Sequence, residues 1–194
     1  INALSTLLLA ITFLVILGFG TKAGMFPMHG WLPTAHPVAP APASAVLSGV
    51  ITKAGVLAII RVIYFLVGAG TLRGTWVQSA FLTLTLITVF MGSMLAYREP
   101  LLKKRLAYST VSQVSYVLFG LACMHPVAFG GAILHVVAHS TIKNCLFLCA
   151  GAIIHQTGKT YVRDLRGIGK QMPITIWCWT IASLGLIGIP PTGG

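Results

Sequence analysis

The sequence predicts an all-α integral membrane protein, and three observations carry that reading. Hydrophobic residues make up 56% of the chain and charged residues only 8%, against roughly 25% charged in a soluble domain. Mean hydropathy is +0.90. Apolar runs of the roughly 20 residues needed to cross a bilayer recur along the chain, separated by basic or proline- and glycine-rich stretches. About six transmembrane helices follow from that spacing. The net charge of +11 would suggest a nucleic-acid partner in a soluble protein. Here most of the cations are scattered between apolar runs, so those read as orientation signals facing the lipid bilayer, with no nucleic acid involved.

Ile1 opens directly into an apolar run, and Gly194 closes a Pro-Pro-Thr-Gly-Gly stretch. Residues 1–194 are therefore expected to be one partial transmembrane domain, the central portion of a longer chain. The first segment covers about residues 4–21 and runs into Lys22-Ala-Gly-Met-Phe-Pro. Gly24 and Pro27 should break it, since proline removes a ladder donor and glycine tolerates conformations other residues avoid. Pro33, Pro37, Pro40 and Pro42 follow, and that density is expected to deny a regular helix over 29–42.

The second segment, about 43–67, contains Lys53 and Arg61, and the third covers about 76–97. Arg98, Lys103, Lys104 and Arg105 form a basic loop over 98–105. The fourth segment, about 106–124, begins with a polar side of Ser109, Ser112, Gln113 and Tyr116. Such residues can line a wet path, and they can equally hydrogen-bond between helices. The fifth segment, about 127–154, is longer than a bilayer requires and should tilt or project. A second basic loop covers 159–170, with Lys159, Arg163, Arg166 and Lys170. The sixth segment, about 173–189, breaks at Pro190 and Pro191.

Parity places the loops after segments three and five on one side of the membrane. Each carries four cations, whereas the loops after segments two and four carry Arg73 and none. The positive-inside rule makes the basic loops cytoplasmic. Two proline–glycine breaks, five segments apart, are the pattern that broken helices of two repeats leave around a transport site.

The chemistry concentrates in the fifth segment. His135, His139 and Lys143 recur every four residues, so a helix lines them up on one face. A lysine at the centre of a membrane helix costs about 2.5–3.5 kcal/mol on insertion scales, so it should face a partner or a wet cavity. Burial favours the neutral amine, and an amine that can give up and regain a proton can relay one. Imidazole passes protons through either ring nitrogen. Lys22 and Lys53 join this set. Arg61 does not, because guanidinium keeps its proton. Lysines can also snorkel to the interface, and a histidine can be a satisfied structural residue.

Metal binding fits poorly. The paired histidines lack the glutamate of a metalloprotease helix, with Val136, Val137 and Ala138 between them. Cys123, Cys145, Cys149 and Cys178 have no Cys-x-x-Cys or cluster spacing. They read as small core residues. There is no dinucleotide fingerprint either. Glu99 and Asp164, the chain's two acidic residues, both lie in loops.

The stretch from Lys22 to Arg61, including K-A-G-M-F-P-M-H-G-W-L-P-T-A-H-P and V-I-T-K-A-G-V-L-A-I-I-R, resembles the signature of antiporter-like proton-translocating membrane subunits. These occur in respiratory complex I (NADH:quinone oxidoreductase), in membrane-bound hydrogenases and in multi-subunit cation/proton antiporters. The likeness continues through R-L-A-Y-S-T-V-S-Q-V-S-Y and H-V-V-A-H-S-T-I-K-N-C-L-F-L to G-I-P-P-T-G-G. It implies a larger fold of two inverted repeats, each with a broken helix. The family's channel lysines match Lys22, Lys53 and Lys143, and its histidines match His135 and His139. The partner glutamate of the Lys22 equivalent and the charge of the second broken helix would lie beyond the two ends.

The resemblance implies a proton-translocating subunit that works among other membrane subunits of a redox complex, in a bacterial plasma membrane or an equivalent energy-transducing membrane. Redox cofactors would belong to partner subunits, with none bound by this chain. The His-Gly-Trp-Leu-Pro phrase favours the complex I or hydrogenase branch. A sodium/proton antiporter subunit is the alternative, and a purely structural membrane subunit a second one.

Overall fold

The computed structural model describes residues 3–189, all of its long elements helical. Helix α1 is Ala3–Ala23, α2 Trp31–Val38, α3 Ala41–Val67, α4 Trp76–Arg98, α5 Leu102–Ala122, α6 Pro126–Thr157 and α7 Pro173–Ile187. Four of these, α1, α3, α4 and α6, are long and apolar enough to cross a membrane. Helix α5 has the length, at 21 residues, but opens on Lys103, Lys104 and Arg105. Helix α7 has 15 residues. Pro190 and Pro191, named above as the second break, lie outside the described residues.

Helix α1 stops for a local reason. Gly24 has φ +88, a left-handed turn where a side chain would be strained. Around it Met25 N–H donates to Gly20 O at 2.8 Å and Gly24 N–H to Thr21 O at 3.1 Å. This bonding satisfies carbonyls that a helix end leaves bare. Trp31 Nε1 then donates to Thr21 O at 2.7 Å, so the next element folds back on the break.

The proline-rich stretch does form a helix, contrary to the expectation for 29–42. In α2, Pro33 occupies the first turn, where its missing N–H would have no partner anyway. Pro37 falls in the last turn, and the helix ends one residue later. Pro42 sits likewise in the first turn of α3.

Helix α3 is continuous but not uniform. Residues Leu47–Ile51 and Arg61–Val67 are wound as π-helix, a geometry that widens a turn and recurs at functional sites. Gly55 lets α3 meet α1. A Cβ there would stand 2.8 Å from Ala23 N and Phe19 O, both backbone atoms.

Helix α6 is capped at both ends. The His125 ring accepts from Val127 N–H, Pro126 takes the first position, and Gly158 ends the helix at φ +68. Its 32 residues span about 48 Å at 1.5 Å each, well beyond a hydrocarbon core of about 30 Å.

The two basic loops touch. Leu101 pairs with Tyr161 in an antiparallel bridge. Leu102 N–H donates to Thr160 O and Val162 N–H to Pro100 O, each at 3.0 Å. Both loops therefore stand at the same end of the bundle.

Buried apolar residues form two clusters. One holds Val56, Ile59 and Ile63 of α3, Val114, Leu118 and Leu121 of α5, and Ala132 of α6. The other holds Ala45 of α3, Leu102 and Leu106 of α5, and Leu146, Phe147 and Ala150 of α6. Along all three helices, a polar stretch lies between the two clusters. Outward-facing Leu4, Leu14, Phe65, Leu66, Phe90 and Trp177 remain exposed, as lipid-facing positions require.

Candidate functional site

The polar layer gathers side chains from three helices. On α3, Ser44, Ser48 and Thr52 recur every four residues and are fully buried. Lys53 follows them. Its Nζ donates to Ser48 O within the widened π turn, and Thr52 Oγ1 donates to the same carbonyl at 3.0 Å. Ser48 Oγ and Thr110 Oγ1, on α5, lie 2.7 Å apart. The π turn thus offers the Lys53 ammonium a backbone acceptor, and α5 holds that turn in place.

Helix α6 supplies the rest. Lys53 Nζ is 2.9 Å from His139 Nδ1. With the ammonium donating, that nitrogen accepts and carries no proton. The His139 ring stacks on His135, centroids 6.0 Å apart. His135 Nε2 in turn lies 2.9 Å from Gln113 Oε1 of α5. The chain of contacts therefore runs Gln113, His135, His139, Lys53, Ser48, Thr110. Its one buried nitrogen without a partner among the described residues is His139 Nε2.

Lys143 lies two turns beyond His135 on α6 and is 0% exposed. Its Nζ donates to Ser109 Oγ at 2.7 Å and to Leu106 O at 3.1 Å. Two donors of the ammonium are thereby satisfied without a counter-charge. Glu99 pairs with Lys104 at 3.0 Å, and Asp164 is exposed. Neither carboxylate reaches the polar layer. A buried cation held only by neutral acceptors is costly, and that cost falls when the proton leaves.

The polar side of α5 divides. Ser109 and Gln113 face α6 and join the layer. Ser112 turns to α4, within 2.8 Å of Ser93 Oγ and donating to Val89 O at 3.1 Å. It bonds helix to helix. Tyr116 is 48% exposed, its ring edge-on to His135 at 6.5 Å. Lys22, in the last turn of α1, is exposed and makes no hydrogen bond or ion pair among the described residues. It stands apart from the layer that joins Lys53, His135 and His139 to Lys143. No group of three or more metal-ligating side chains occurs among the described residues.

Sequence reasoning passed over Ser48, Thr110 and Asn144. The first had a signal, the four-residue hydroxyl stripe of α3. Asn144 follows Lys143 and buries its Oδ1 without a partner among the described residues, against the π turn at Gly49.

The same arrangement of helices occurs in known proteins. A solved structure of the Mrp complex from Dietzia sp. contains a chain that superposes with a TM-score of 0.86 at 31% identity, over 93% of this chain and 33% of that one. NADH-quinone oxidoreductase subunit N of Desulforudis audaxviator is 39% identical over 193 residues, covering 96% of this chain and 37% of the relative. Hydrogenase-4 component B of Escherichia coli is 37% identical, over 95% of this chain and 29% of the relative. The chain thus spans about a third of the length of these relatives. The family model for the transmembrane region of NADH:quinone oxidoreductases and Mrp antiporters matches residues 1–194 throughout. With its apolar helices and that match, the chain is an integral membrane protein of the NADH:quinone oxidoreductase/Mrp antiporter transmembrane family.

Proposed function

We propose that this chain moves protons across the membrane through the layer of Lys53, His139, His135 and Lys143. The observation that supports the reading most is the 2.9 Å contact between Lys53 Nζ and His139 Nδ1, two titratable groups joined directly between two apolar clusters. A proton leaving Lys53 has an acceptor in place. Every member of the row can both take and give a proton, or orient one that does.

In the whole protein, a proton approaches from the cytoplasmic side toward Lys22, crosses Lys53 and the histidines, and reaches Lys143. It leaves through residues of the second broken helix. Partner membrane subunits carry the redox cofactors and supply the driving force, and changes in lysine pairing set direction. The basic loops 98–105 and 159–170 face the cytoplasm, in a bacterial plasma membrane or its equivalent. The complex I and hydrogenase relatives favour a redox-driven pump. The likeness to the Mrp complex supports the second reading, a subunit of a sodium/proton antiporter.

The test uses the full-length parent in its complex, in sealed vesicles under its native driving force. Lys143→Ala is expected to abolish proton uptake while assembly stays normal. Full uptake in an assembled variant would refute the relay. Sodium dependence of uptake in the unmodified complex would favour the antiporter.

A further inference from the structure

A cleft of about 610 Å³ opens at the end of the bundle where the two basic loops meet. Four helices border it. Ala41 opens α3, Lys103 lies in the first turn of α5, His155 and Gln156 stand in the last turn of α6, and Met172 immediately precedes α7. On α6, Leu148, Gly151, Ala152 and His155 all line the cleft, because their spacing puts them on one helix face. The wall thus passes from a half-exposed leucine to an imidazole over about 10 Å. Gly151 brings α3 against α6 at its edge, since a Cβ there would stand 2.1 Å from Ala41 Cβ.

The polar groups of the wall are held but not used up. Lys103 Nζ donates to Ala39 O at 3.0 Å, which fixes the ammonium and leaves two of its three donors without a partner among the described residues. The side chains of His155 and Gln156 make no hydrogen bond among the described residues. Lys170, two residues before Met172, is exposed. Among the described residues no carboxylate lines the cleft, and Glu99 is engaged by Lys104. The cleft therefore has a cationic end with spare donors and no counter-charge.

Its depth limits what can fill it. Helix α6 is longer than a hydrocarbon core requires and runs into the basic loop 159–170, so its last turn stands at headgroup level while Leu148 faces the acyl region. A ligand that satisfies both ends carries an anion at the loop side and an apolar body toward the membrane. A soluble anion would leave Leu148, Ala152 and Met172 uncovered. A zwitterionic lipid would bring its own cation against Lys103. Basic pockets between transmembrane helices suit anionic head groups for this reason.

We infer that this cleft is a binding site for one anionic phospholipid of the leaflet on the basic-loop side, its phosphate on Lys103 and His155 and its acyl chains along Leu148 and Ala152. Gln156 donates to the head group as a neutral partner. The lipid bridges the start of α5, the end of α6 and the start of α7, three elements that carry or flank the basic loops.

The test reads lipid contact directly and does not depend on proton transport. The full-length complex is placed in phosphatidylcholine vesicles that contain a trace of photoactivatable phosphatidylglycerol, or of photoactivatable phosphatidylcholine with the same acyl chains. After illumination, mass spectrometry of peptides locates the label. Phosphatidylglycerol is expected to label residues 148–156 and Met172 at least fivefold more than phosphatidylcholine does. Lys103→Gln combined with His155→Gln, which removes the cations, should cancel that preference. Ala152→Trp, which fills the cleft and leaves its charges, should cut labelling at least fivefold. Equal labelling by the two probes would reduce the cleft to a non-selective apolar groove and overturn the proposal. Absence of label from both would show that another protein segment covers it, with the same consequence. Undiminished labelling in assembled Ala152→Trp would place the lipid elsewhere. If a variant fails to assemble, the comparison of the two probes on the unmodified complex still decides.

Discussion

Lys53 and His139 meet at 2.9 Å across 86 residues of chain. Neither has a carboxylate partner among the described residues, since Glu99 is engaged by Lys104 at the loop end. The two groups therefore depend on each other and on neutral acceptors to hold a proton.

That dependence predicts strong coupling. His139→Leu and Lys53→Met should each reduce proton uptake about 100-fold, the scale on which a positioned proton-transfer group acts. The double variant should lose little more than either single one, because groups that act as a unit are non-additive. Uptake rates of the three variants in sealed vesicles check this. Losses that multiply would mean the two side chains work independently.

Ser109 should matter through Lys143 alone. Ser109→Ala removes one of the two acceptors of the buried ammonium and leaves Leu106 O. A hydrogen bond to a charged group is worth about 1.5–3 kcal/mol, so uptake should drop roughly tenfold or more. In a Lys143→Ala background the same change should have no effect. A double-mutant comparison of uptake rates decides it.

Gly55 is a packing residue between the helices that carry Lys22 and Lys53. A Cβ there would press on backbone atoms of α1 at 2.8 Å, which no side-chain rotation relieves. Gly55→Ala should destabilise by about 1–3 kcal/mol, as overpacked sites do. A lowered thermal midpoint of the complex in detergent would register it. An unchanged midpoint would show that α1 and α3 are not held this closely.

The loop contact predicts that both basic loops lie on one side of the membrane, and the proposed orientation makes that side cytoplasmic. In a background without native cysteines, Lys104→Cys and Arg163→Cys should both react with a membrane-impermeant thiol reagent from the cytoplasmic side. Labelling from opposite sides would contradict the bridge between Leu101 and Tyr161. Lys104→Cys also removes the ion pair to Glu99. That pair is partly exposed, so its loss should cost no more than about 1 kcal/mol.

Much of this was legible in the sequence. Apolar runs set the helices, Gly24 set the end of α1, and the four-residue spacing put His135, His139 and Lys143 on one face, because helix periodicity is a local property. The proline-rich stretch misled, since prolines at 33 and 37 fall in the first and last turns of α2, where a missing donor costs least. Tertiary structure alone decided who faces whom. Ser112 and Gln113 are neighbours in sequence, yet one bonds to α4 and the other to His135, because one residue turns a helix by about 100°. Periodicity fixes the face on which a side chain lies. Only the packing of α3, α5 and α6 brings Lys53 to His139 and Lys143 to Ser109, since those partners lie far apart along the chain.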